Sequence, residues 1–190
     1  MFEDVSATPA ERGEARAGDE LISPADVVMD RAFTVPGSAE EVWPWIVQLG
    51  KWRAGWYFVR RIERFLPASR RASRIIDPRW QSLAAGSVVP DYGGRHETFT
   101  VAEIDSPHTL VYRSRRRAML LSWSITLRPV DPAGGGTAQT RVLLRLRLGP
   151  VKRLWLARTA GELVDVLTVA GMAAGLRERL RLSRLPRPPS

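Results

Sequence analysis

Residues Asp30–Leu66, DRAFTVPGSAEEVWPWIVQLGKWRAGWYFVRRIERFL, set the reading of the whole chain. A strand runs through Val35, Pro36-Gly37 turns the chain, and Ser38 opens a helix. Ser38 and Glu41 fit a capping box, in which each side chain satisfies a backbone N–H left bare by the first turn. Val42, Trp45, Ile46 and Leu49 recur at helical spacing, so one face is strongly apolar. Pro44 comes early, where a lost N–H costs least, with a bend expected there. Gly50 ends the helix. A second amphipathic helix is expected from about Gly55 to Leu66, with Trp56 and Tyr57 at its start.

Upstream, residues 1–22 are rich in Glu, Ala, Arg and Gly with almost nothing to bury, the composition of a flexible acidic tail. The domain is expected over residues 23–185, its first strand at about Val27–Val35. Residues 67–85, PASRRASRIIDPRWQSLAA, lack clean periodicity and carry two prolines, so they read as a long connection capping one end of the fold. From Gly86 the pattern becomes β. Ser87–Pro90 is a short strand before the Asp91-Tyr92-Gly93-Gly94 turn. Glu97–Ile104 and Thr109–Ser114 alternate across a hairpin turn, Asp105–His108. Arg115-Arg116-Arg117 marks the next turn. Met119–Val130 is a longer strand with Trp123, Ile125 and Leu127 on one face, and DPAGGGTA (Asp131–Ala138) is a flexible turn. Thr140–Leu148 puts Val142, Leu144, Leu146 and Leu148 on one face. Arg141, Arg145 and Arg147 lie on the other with Leu143 as the exception, so one face is buried and the other mostly wet. Gly149-Pro150 closes the sheet. Thr159-x-x-Glu162 is a second capping box opening a long helix to about Leu182. Residues 186–190, PRPPS, are a Pro-rich tail.

The order β, α, α, five or so strands and a long helix, with the segments AEEVWPWIVQLG (Ala39–Gly50) and RAGWY (Arg53–Tyr57), resembles a bacterial branch of the START-like, helix-grip superfamily (SRPBCC, the polyketide cyclase and lipid-transfer group). The resemblance implies an α+β fold: a curved antiparallel β-sheet wrapped around a long C-terminal helix, with two short helices after strand one and a cavity between sheet and helix. It also implies a ligand class, a small hydrophobic molecule such as a lipid, isoprenoid or polyketide-like compound. An enzyme of the polyketide cyclase or dehydratase type, using the same cavity, is the alternative. No cofactor is implied.

At 190 residues the chain suits one domain with a real core. It has no cysteine, which excludes disulfides, thiolate metal sites and a cysteine nucleophile. The N-terminus lacks the apolar core of a secretory signal. The most apolar run, Leu163–Leu176, contains Asp165 and falls short of the roughly 20 residues that span a bilayer. A soluble cytoplasmic protein is the expectation. Net charge is +9. Residues 1–26 hold seven acids and two arginines, while the remainder holds 27 basic and 13 acidic residues, an acidic lead on a basic body. Of the 29 basic residues 27 are arginine, as the codon bias of a GC-rich genome alone would produce. The arginines are scattered over several elements without any nucleic-acid-binding motif, so nucleic acid ranks last among partners. Arg115–Arg117 beside Ala118–Leu121 suits transient contact with an anionic membrane, or else a solvated hairpin tip.

No HExxH, CxxC, P-loop or nucleophile elbow is present, two histidines without cysteine argue against a zinc site, and no metal is expected. The polar candidates are His96 and Asp91, flanking a turn that borders the cavity mouth in this fold. A histidine near a carboxylate serves as acid or base near neutral pH, and a plain turn is the competing reading. The ligand-lining candidates are Trp56, Tyr57, Tyr92, Tyr112 and Trp123, which combine apolar area with a polar tip, and Arg113 as an orienting charge. Ordinary core packing competes for each, and strand parity is open, since a slip of one residue inverts every assignment. Gly161, Gly171 and Gly175 interrupt the last helix at about 0.5–1 kcal/mol each. They serve either close packing on the sheet or the thinning that leaves a cavity, and the resemblance favours the second.

Overall fold

The computed structural model describes residues 4–130, 136–151, 154–156, 159 and 161–184. Period-two alternation produces strands β1 (Val27–Pro36), β2 (Val88–Pro90), β3 (Thr98–Asp105), β4 (Thr109–Arg116), β5 (Met119–Val130) and β6 (Gln139–Gly149). They form one six-stranded antiparallel sheet in the order β1-β6-β5-β4-β3-β2. Successive hairpins make neighbours of β2 through β6, and β1 closes onto β6 with Phe33 opposite Val142. Helix α1 spans Pro9–Gly13, α2 Ala39–Gln48, α3 Arg60–Glu63, α4 Leu154–Leu156 and α5 Glu162–Ser183. The curved sheet holds the long α5, with α2 and α3 inserted after β1. This is the α+β helix-grip arrangement.

The core lies between the inner face of the sheet, α2 and α5. Phe33, Trp45, Ile46, Leu110, Ile125 and Leu176 are among its fully buried members. Each contributes about 1.5–3 kcal/mol by leaving water. Glu41 caps α2 as expected, its carboxylate accepting from the Ser38 N–H at 2.8 Å.

Four expectations are corrected. The second helix is only Arg60–Glu63, because Gly55–Val59 crosses α5 in non-helical form and its aromatic side chains are spent on that crossing. The crossing is also what Gly171 and Gly175 serve. A Cβ on Gly175 would stand 2.6 Å from the Tyr57 carbonyl carbon and 2.7 Å from the Phe58 nitrogen, and one on Gly171 would stand 2.5 Å from the Phe58 ring. These glycines allow close packing rather than leaving a void. The cap expected at Thr159 is not formed, since Thr159 donates its hydroxyl to the Trp155 carbonyl at 2.9 Å, one helical turn back.

The fourth correction concerns the N-terminus. Residues 4–22 are not a free tail but a strap. The Val5 carbonyl accepts from the Ala32 N–H at 2.8 Å, covering the open edge of β1. Ala7 then joins Ala32 and Leu143 in a small cluster on the outer face of the sheet, which explains the lone leucine among the β6 arginines. That face is consequently not wet. Arg145 is 4% exposed and donates to Asp30 at 2.7 Å, Asp19 at 2.8 Å and the carbonyls of Glu14 and Arg12 at 2.9 and 2.8 Å. Arg141 pairs with Glu11 and Arg128 with Glu14. The acids that composition assigned to a solvated tail are the counter-charges of the sheet. Most of the DPAGGGTA turn (131–135) and the Pro-rich end (186–190) lie outside the described residues. Among the described residues no helix is long and apolar enough to cross a membrane.

Candidate functional site

Between the sheet, α2, the 56–58 crossing and α5 lies a cavity of about 470 Å³. Its volume falls in the range of small-molecule sites. Alternation decides which strand residues reach it. Tyr112 on β4 stands opposite Trp123 on β5, and both face inward. Their rings stack at 5.8 Å and 20°, and Trp56 continues the stack on Trp123 at 6.1 Å and 25°. Phe99 leans on Tyr112 at 5.5 Å, and Tyr92, 53% exposed, meets Trp56 edge-on at the rim. Ile46, Leu121 and Val169 complete the apolar wall.

Few polar groups interrupt it. The Trp56 indole N–H donates to the Thr168 carbonyl of α5 at 3.1 Å, tying the crossing to the helix. Burial pushes the Tyr112 hydroxyl up to about 12, so it is a neutral donor across the physiological range. Asp91 is buried at the rim, where its carboxylate accepts from the Gly93 N–H at 3.1 Å and pairs with Arg116. Asp165, in the first turn of α5, also reaches the cavity. Burial pushes its carboxyl upward, Arg31 opposes this with Nε at 2.9 Å, and Glu162 adds to the upward push.

Of the expected ligand-lining residues, Trp56, Tyr92, Tyr112 and Trp123 come together in this cavity, with Asp91. Tyr57 does not. It is fully buried in the core, donating to the Trp45 carbonyl at 2.8 Å, accepting from Gln48 at 3.2 Å and lying under the Arg179 guanidinium at 4.6 Å. Burial pushes its hydroxyl well up. Arg113 follows Tyr112 on the strand and therefore faces outward, where it shares a separate groove with His96. The proposed pairing of His96 with Asp91 is not assembled, because Asp91 faces the cavity and is held by Arg116.

Sequence reasoning passed over Phe99, Arg116 and Asp165. Arg116 reads as one of three hairpin arginines and nothing local marks its partner. Asp165 had a signal: it is the one acid within the apolar run Leu163–Leu176. Among the described residues no group of three or more His, Asp or Glu side chains is placed to hold a metal ion.

No protein-family model and no curated protein matches the chain. Solved structures with a similar run of chain include protein MLL2253 from Mesorhizobium loti, 14% identical over 84% of this chain and 100% of that one, with a TM-score of 0.49. A protein from Arthrobacter aurescens is 10% identical over 83% of this chain and 87% of its own, at 0.48. The Aha1 dimer from Colwellia psychrerythraea gives 12% identity over 80% and 98%, at 0.44. Identities this low speak for no residue of the cavity.

Proposed function

We propose that this protein binds a small hydrophobic molecule, of lipid, isoprenoid or polyketide-like character, in the cavity between sheet and α5. The observation that carries the reading is the cavity wall itself: Trp56, Trp123 and Tyr112 stacked along one side, Phe99 beside them, and almost no hydrogen-bonding capacity over the rest. Apolar walls of this volume favour a ligand that leaves water by area, and the few polar groups orient it. The Tyr112 hydroxyl offers a donor to a ligand oxygen. Asp165 offers an acceptor at the α5 end.

The test is native mass spectrometry of protein purified from its own host, followed by solvent extraction of whatever co-purifies. A stoichiometric hydrophobic adduct is the expected result. Trp123→Ala should then weaken binding of that molecule roughly thirtyfold, as removal of a central aromatic anchor costs about 2 kcal/mol. A clean apo mass, unchanged after incubation with mixed lipids and isoprenoids, would count against the reading.

A cyclase or dehydratase-type reaction in the same cavity is the second reading, and Asp165 is the observation that favours it. A carboxyl pushed upward by burial beside a ligand cavity is suited to proton transfer. Asp165→Asn separates the two readings: a carrier keeps its ligand, whereas an enzyme binds its substrate and stops turning it over.

A further inference from the structure

The outer face of the sheet carries a second feature, independent of the cavity. Arg128, Arg141, Arg145 and Arg147 on this face are each met by a carboxylate of the N-terminal strap, from Glu14, Glu11 or Asp19. The strap packs Gly18 against Val111 on β4 and then brings Leu21 and Ile22 to the edge of the outward residues of β3 and β4, with no carboxylate of its own set against Arg113 or Arg115. Arg113 and Arg115 are the arginines it leaves there, both exposed and without an ion pair among the described residues.

These two arginines frame a groove of about 510 Å³. Register places Arg113 directly opposite Thr100 on β3, and with Arg115 two residues on, the guanidiniums spring from points about 7 Å apart on one face. Thr98, Thr100 and His96 line the same groove. Leu21, Ile22 and Leu120 give it an apolar flank. Glu97 is the one carboxylate present, against two guanidiniums. Guanidinium forks match tetrahedral oxyanions, threonine hydroxyls add neutral donors, and the apolar flank leaves room for an organic group.

We propose that this groove is an anion site that takes a phosphate monoester, held by Arg113 and Arg115 with Thr98 and Thr100. The site lies on the outer face of the sheet, away from the aromatic wall of the cavity, with Leu121 the one residue that lines both. It also accounts for His96 and Arg113, which the cavity does not use.

The experiment is a titration followed by amide NMR shifts at fixed ionic strength, using inorganic phosphate and then glycerol 3-phosphate. Sedimentation with vesicles containing phosphatidic acid forms a parallel arm. The expected result is saturable shifts confined to Thr98, Thr100 and Arg113–Arg115. Arg113→Gln with Arg115→Gln should weaken binding at least about tenfold, the effect of losing charge-assisted hydrogen bonds. Arg61→Gln, a change at an exposed arginine on α3, should leave affinity where it was. An unchanged thermal midpoint checks that the double variant folds, and the single variant Arg113→Lys, which keeps charge but loses the fork, should show an intermediate loss. A response to glycerol 3-phosphate assigns the site to a dissolved ester. Vesicle binding alone, abolished by the same double variant, assigns it to a lipid headgroup. Shifts that never saturate, or that are the same in the double variant and in Arg61→Gln, would overturn the proposal.

Discussion

Arg145 and Arg179 show how single charges are tolerated inside this protein. Arg179 is 1% exposed and donates to Glu63 at 2.6 Å and to the carbonyls of Ser73, Phe58 and Gly175. Every fork direction finds an acceptor, which is the condition under which a buried guanidinium is not a liability. Arg145 meets the same condition on the outer face with Asp30. Replacing Arg145 with Met leaves the buried Asp30 with only the longer Arg16 pair at 3.6 Å, so Arg145→Met should lower the unfolding free energy by about 3 kcal/mol. Urea denaturation measures this, and a loss near zero would mean that water already screens the pair. Neither arrangement was legible beforehand. Arg145 looks like any outward arginine on an alternating strand, and its carbonyl partner Glu14 is 131 residues away.

The pairing of α5 with the 56–58 crossing is the decisive contact between elements. Its glycines stand out in the sequence, but their purpose depends on what lies against them, and that is backbone at Gly175 and a phenyl ring at Gly171. Gly175→Ala forces backbone apart and should cost about 1–3 kcal/mol, the range for overpacking a well-filled core. Because Trp56 rides on the same segment, the variant should also bind any cavity ligand more weakly. Gly171→Ala needs only the Phe58 ring to move and should cost less. Thermal unfolding of the two variants orders them, and equal losses would contradict the contact. The stretch 55–59 has helical periodicity in sequence and is not helical because burying Tyr57 and Phe58 across α5 outweighs a marginal local preference.

For the molecule as a whole, the strap couples stability to acid. The Arg141 guanidinium and the Thr8 N–H hold Glu11 down to about 2 from its ordinary 4.5, and Arg128 lowers Glu14 in the same sense. A carboxyl lowered in the folded state stabilises above its unfolded value, and that contribution is lost as pH falls through the folded one. The strap should therefore loosen between about pH 4.5 and pH 2. Asp165 acts oppositely: its carboxyl is raised on folding, so it favours the folded state most when protonated. Hydrogen exchange of residues 4–22 against pH should show protection falling first in the strap. Protection that falls together across strap and core would remove its separate status. Deleting residues 1–22 should expose Leu143 and the free edge of β1 and promote self-association, which light scattering would detect.

The strand positions, the hairpins, the Ser38 helix start and the long last helix were legible because they follow from local terms: alternation at period two, apolar spacing near 3.6, and the turn chemistry of Gly, Pro and Asp. The aromatic membership of the cavity was mostly legible too, since Trp56, Tyr92, Tyr112 and Trp123 are the residues that combine area with a polar tip. The face of each strand, the fate of the acidic N-terminus and the pairing of each arginine were not local. They depend on segments more than 100 residues apart meeting in space, as Arg141 meets Glu11 and Arg179 meets Glu63. Burial of a charge is settled by what covers it, and here the cover is a strap whose composition alone resembles solvent-exposed chain.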